Sequence, residues 1–185
     1  LEDMGVDIQA HILSIKDVKD DKFNPVNVGN LGIDKKEFPV INDEKGRLMI
    51  AEIEKARENG DSVGGVIECA VTGIRAGFGE PMFDGIENQL AKNIFGIPAV
   101  KGIEFGNGFG AAELYGSENN DEFCVENGEI RTKTNNSGGI NGGITLRPNL
   151  SNDGNYVVHL KPSVIGSQSY ETSGIFDIMT TTSDG

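Results

Sequence analysis

Residues 62–74, SVGGVIECAVTGI, carry the strongest strand signal in the chain, and their pattern decides the fold. In an extended segment Ile67, Cys69 and Val71 share one face, while Glu68 and Thr72 point to the other. Strands of a parallel sheet covered by helices on both sides read as continuous apolar runs. This one alternates. So does VDIQAHILSI at residues 6–15, with Val6, Ile8, Ala10 and Ile12 opposed to Asp7, Gln9 and His11. The alternation predicts a largely antiparallel sheet with one half-buried face.

Helical signals flank the central strand. In NDEKGRLMIAEIEKARENG, residues 42–60, Asn42 or Asp43 can cap an N-terminus and acidic residues fill the first turns. Gly60 stands where a left-handed C-terminal residue is wanted. Met49, Ile53 and Ala56 form an apolar stripe. Further on, Pro81 suits a first helical position. Phe83, Ile86, Leu90 and Ile94 follow at helical spacing, until Gly96-Ile97-Pro98 stops the run. A short strand is expected from Ala99 to Phe105. Residues 16–40, polar and holding Pro25 and Pro39, read as loop or a short helical excursion. The expected architecture is α+β: sandwich-like layers with a largely antiparallel sheet and helices packed on one face.

Bulk properties narrow the function classes. The chain has 185 residues, enough for one ordinary domain, and a formal charge of −13. Without clustered Lys and Arg, that charge argues against a nucleic-acid partner. No apolar run approaches the roughly 20 residues of a membrane span. Leu1-Glu-Asp-Met-Gly has neither the basic region nor the hydrophobic segment of a signal peptide, so a cytoplasmic location is expected. A chain opening on Leu1 is also expected to start within a longer polypeptide. Cys69 and Cys124 lack metal-ligand spacing and read as free thiols, Cys69 as a small core residue; no metal is expected.

The segment TNNSGGINGGIT, residues 134–145, places four glycines and three asparagines in twelve residues. Such a run costs backbone entropy on folding. Three readings compete: a flexible turn, a cradle of backbone N–H groups for an anion, or bare backbone against a flat ring system. Neither the dinucleotide fingerprint nor the Walker pattern is present.

Four blocks occur in order along the chain: GDSVGGVIECAVTGIRAGFGEPMFD (60–84), GIPAVKGIEFGNGF (96–109), GSENNDEF (116–123) and TNNSGGINGGIT. Together with GVDIQAHILSI at residues 5–15, they resemble chorismate synthase over roughly residues 5–145. The resemblance implies a β-α-β sandwich fold and a homotetramer. It also implies a carbon-oxygen lyase of the shikimate pathway, serving aromatic amino-acid biosynthesis. The family removes phosphate from 5-enolpyruvylshikimate 3-phosphate by 1,4-anti elimination to give chorismate. Reduced FMN is required without net redox change. Carried onto this chain, the family's FMN contacts fall on Pro98, Ala99 and Gly142, and on the segment Lys161, Pro162, Ser163, Val164 and Ile165. Lys161 would offset phosphate charge and Ser163 would donate a hydroxyl. The plainer reading of Lys161-Pro162 is the end of an edge strand.

The chain also departs from the family. It lacks the Gly-x-Ser-His-Gly histidine, a second catalytic histidine and an arginine-rich phosphate grip. His11 and His159, its two histidines, stand in neither context and read as structural. After Thr145 the match weakens, and residues 146–185 are divergent. Gly174-Ile175-Phe176-Asp177 stands for the family's Gly-Arg-His-Asp, leaving Asp177 as the one candidate catalytic residue. The expectation is a single partial chorismate synthase-like domain, inactive alone. Rival readings are a non-catalytic flavin- or phosphate-binding module and an assembly module.

Overall fold

The computed structural model describes residues 5–25, 28–126, 128–146, 158–160 and 163–164. Its centre is an antiparallel sheet. Strand β1 (Asp7–Ile15) pairs with β2 (Val18–Lys19) on one edge and with β3 (Gly65–Thr72) on the other. The far edge of β3 takes β9 (Val158–Leu160) and β10 (Ser163–Val164), and β10 in turn pairs with β4 (Val100–Gly102). Every pairing among the described residues is antiparallel, as the alternation predicted.

The β1–β3 register sets Ala10 opposite Cys69, His11 opposite Glu68 and Ile12 opposite Ile67. A bulge between Ile12 and Ser14 keeps Ile15 on the same face as Ile12. Both long helices cover that face. Helix α1 (Asp43–Glu58) brings Met49 and Ile53 onto Ile12, Ile15 and Val40. Helix α2 (Ile86–Ile94) brings Ile86, Leu90 and Ile94 onto Cys69, Val100 and Ile140.

The opposite face is not left to solvent, and here the reading of β1 as half-buried needs correction. Phe23, Val28 and Ile33 from the 16–41 excursion pack over Ala70. His11 and Glu68 are fully buried beneath the same excursion. A polar residue in an alternating pattern is solvated only where nothing folds over it.

Helix α1 follows its caps. Asn42 Oδ1 accepts from Glu44 N and Lys45 N at 3.1 and 3.4 Å. At the other end Gly60 has φ +62°. Gly60 N donates to Arg57 O and Asp61 N to Ala56 O, the paired bonds of a Schellman ending. Helix α2 differs from expectation at its start. Pro81 is extended ahead of a 3-10 turn at Met82–Asp84, and Phe83 is 84 % exposed rather than part of the stripe. The helix begins only at Ile86. The strand expected at Ala99–Phe105 is confined to Val100–Gly102.

Candidate functional site

Downstream of β4 lie a 3-10 segment at Gly108–Glu113, a single helical turn α3 (Gly116–Asn119) and the hairpin β5 (Phe123–Glu126) with β6 (Glu129–Thr132). The glycine run follows. Its second half is a tight hairpin, β7 (Ile140–Asn141) and β8 (Ile144–Thr145), joined by Gly142-Gly143. These two have φ +61° and +85°, and a two-residue loop with both φ positive matches the right-handed twist of its strands. Gly138 and Gly139 are left-handed too, at +69° and +78°.

Both ends of the run are held. At the first, the half-buried carboxylate of Asp121 accepts from Thr134 Oγ1 (2.6 Å), Asn136 N (2.7 Å), Ser137 N (2.8 Å) and Ser137 Oγ (2.5 Å). Burial opposes charge on Asp121, but these bonds outweigh it and hold the carboxyl below its ordinary range. Asn136 O accepts from Asn107 N (2.8 Å), and Asn107 Nδ2 donates to Asn119 Oδ1 (2.9 Å). Asn135 Nδ2 reaches Pro25 O at 2.7 Å, tying the run to the excursion over β1.

At the second end Thr145 is 1 % exposed. Its hydroxyl accepts from Phe78 N (2.9 Å) and donates to Arg75 O (2.8 Å). The Gly143 carbonyl accepts from Ile86 N at 2.9 Å, giving one of the orphan N–H groups that start α2 a partner. A Cβ on Gly143 would lie 2.6 Å from Glu80 O and 2.9 Å from Gly85 Cα. Gly143 therefore accommodates the chain's own backbone. Gly142 does not: it is exposed, and nothing stands within 4 Å of where its Cβ would be. The four glycines, one run in the sequence, have separate jobs.

The other candidate residues that are described flank or form strands β4 and β10. Pro98 is exposed. Ala99 has φ +69°, a left-handed geometry costing a non-glycine residue about 1–2 kcal/mol. The next residue, Val100, shares a core cluster with Ile140 of β7. Ser163 pairs with Gly102, and Val164 with Val100, so the two segments carrying Pro98-Ala99 and Ser163-Val164 run onto hydrogen-bonded neighbouring strands. Lys161, Pro162, Ile165 and Asp177 lie outside the described residues. Asp121, Asn107 and Thr145 were missed as organisers of the run, although each lies in one of the quoted blocks. Asn107 and Thr145 carry the signal of a short polar side chain near glycines, which marks a loop without saying which loop it holds, while Asp121 has no such glycine neighbours.

His11 is not available for acid-base work. Its Nδ1 faces Asp20 Oδ2 at 3.1 Å and its Nε2 faces Glu68 Oε2 at 2.8 Å, all three side chains being 0 % exposed. The Phe23 ring lies edge-on, 4.6 Å away between centroids. Cys69 is equally remote, with burial pushing its thiol up to about 12. Among the described residues no group of His, Cys, Asp and Glu could hold a metal ion, and no helix is long and apolar enough to cross a membrane.

Fold and site together define an α+β domain in which separated glycine-bearing loops are bolted to one end of an antiparallel sheet. The chain belongs to the chorismate synthase family, whose model matches residues 1–169. It is 57% identical over 99 residues to the chorismate synthase of Dehalococcoides mccartyi strain BAV1, covering 54% of this chain and 27% of that one. It is 44% identical over 145 residues to that of Korarchaeum cryptofilum, covering 78% and 40%. A solved structure described as the crystal structure of chorismate synthase superposes with a TM-score of 0.76 at 27% identity, over 89% of this chain and 50% of that one. The chain thus spans at most about half the length of these relatives.

Proposed function

We propose that this chain forms the flavin-side part of a chorismate synthase, contributing to the FMN-dependent 1,4-anti elimination of phosphate from 5-enolpyruvylshikimate 3-phosphate. The supporting observation is adjacency. Pro98-Ala99 leads into β4 and Ser163-Val164 forms β10, two hydrogen-bonded neighbouring strands, and Val100 shares a core cluster with Ile140 of the glycine hairpin. Gly142 is exposed with nothing within 4 Å of where its Cβ would be, which leaves room for a flat phosphorylated coenzyme to approach the backbone there. Pro98 is exposed and Ala99 partly so, each with a small side chain, and Ser163-Val164 form the neighbouring strand. Lys161, Pro162 and Ile165 would complete the set, and Asp177 would assist proton removal.

Reduced FMN held there would supply transient electron density to the substrate. The protein's task is to hold it and exclude water. Acid-base chemistry needs a positioned group within hydrogen-bond reach of the substrate. His11 is sealed between two carboxylates, and the chain has no Gly-x-Ser-His-Gly. Turnover by this chain alone is therefore not expected, and the tetramer and cytoplasmic location of the family belong to the same proposal.

The test is a fluorescence titration of oxidised FMN. Saturable quenching that Gly142→Glu removes is the expected result, with no phosphate released from substrate when the flavin is reduced. Absence of quenching at protein concentrations near a millimolar would overturn the flavin reading. Phosphate release well above buffer would overturn the claim of inactivity.

A further inference from the structure

We propose that Asp121 is a positioning residue for the flavin-facing hairpin, a role that rests on the flavin reading above. Its carboxylate takes two hydroxyl and two backbone donors from a four-residue stretch: Thr134 Oγ1, Asn136 N, Ser137 N and Ser137 Oγ. Only an acceptor-only group satisfies such a set, since an ionised carboxylate has about four lone-pair sites and no donor. An asparagine would turn an NH₂ toward one or more of these donors.

The position of the clamp gives it a consequence. Immediately beyond Ser137 come Gly138 and Gly139, both left-handed, then the hairpin that exposes Gly142. At the far end Thr145 and the wedged Gly143 hold the chain against residues 75–86. With both ends fixed, the intervening glycines have little freedom to lose when a ligand arrives, and rigidity before binding raises affinity. Release the Asp121 end, and the most flexible residue type in the protein must be ordered by the ligand itself. The same carboxylate serves the loop carrying Asn107, because Asn136 O accepts from Asn107 N while Asn136 N is held by Asp121.

The experiment compares wild type, Asp121→Ala, Asp121→Asn and the milder Ser137→Ala by calorimetric titration with FMN, alongside amide hydrogen exchange. In the Asp121 variants the dissociation constant should rise tenfold or more, through a less favourable binding entropy at similar enthalpy. Exchange at Asn136, Ser137 and Gly142 should accelerate, while the amides of β1 and β3 stay protected. Ser137→Ala should show a smaller change of the same kind. Equal FMN affinity in wild type and Asp121 variants, with exchange accelerated at Asn136 and Ser137, would reduce Asp121 to a structural residue and overturn the proposal. A wild-type chain that binds no FMN would sink the flavin reading and this role with it, an outcome visible before any variant is compared.

Discussion

His11, Asp20 and Glu68 form the most demanding polar cluster in the described structure. Each is fully buried, and each carboxylate also accepts backbone N–H: Asp20 from Ile41 and Asn42, Glu68 from Phe23. Three groups of this kind survive burial only because their hydrogen-bonding atoms meet partners. The cluster stitches β1 and β3 to the excursion and to the cap of α1. Removing one partner leaves the others buried without compensation, which costs about 3–5 kcal/mol. Glu68→Ala is expected to destabilise the chain by that amount in urea denaturation at neutral pH. A loss under 1 kcal/mol would mean that the cluster is solvated in solution.

At the scale of the element, the β7–β8 hairpin separates two glycines that look interchangeable in sequence. An alanine at either position adopts a left-handed conformation, costing about 1–2 kcal/mol. Position 143 adds steric conflict, because the new Cβ would press on the Glu80 carbonyl and on Gly85. Forced overpacking costs typically about 1–3 kcal/mol more. Gly143→Ala should therefore lose about 3 kcal/mol or more in thermal or chemical unfolding, and Gly142→Ala only about 1–2. Equal losses would show that the hairpin does not seat against the start of α2.

For the whole molecule, acid is the informative perturbation. Asp121 has its folded carboxyl held below the ordinary value of 3.8, so the unfolded chain takes up that proton first. Its stabilising contribution is complete above the unfolded value and is lost as pH falls toward and through the folded one. Asp21, Asp43 and Glu52 are lowered as well, by hydrogen bonds to Lys45, Lys36 and Lys16 respectively, but these pairs are solvent-exposed and salt screens them. The thermal midpoint should fall as pH drops below about 4. In 1 M salt a residual acid sensitivity should persist in wild type and be smaller in Asp121→Asn. Identical acid curves for the two proteins would show that the four bonds to Asp121 do not persist in solution.

Much of this was legible in the residues. Strand alternation pointed to antiparallel pairing, which the sheet shows, but it did not report that both faces are covered. Asn42 and Gly60 marked the ends of α1, because capping is a matter of a few adjacent residues. The blocks around the glycine run were recognisable, and so was the family. Other features depended on contacts that local pattern does not encode. That β10 lies between β3 and β4, that the excursion buries His11, that Asp121 reaches back to the glycine run, and that Gly143 faces inward while Gly142 faces out are decided by which surfaces remain to be covered after the sheet forms. A side chain's own neighbours set its conformation, whereas its burial and its partners are set by segments tens of residues away. Hence the sequence alone determined the longer elements in outline and the family, and only tertiary structure decided their bounds and which of their residues stay exposed.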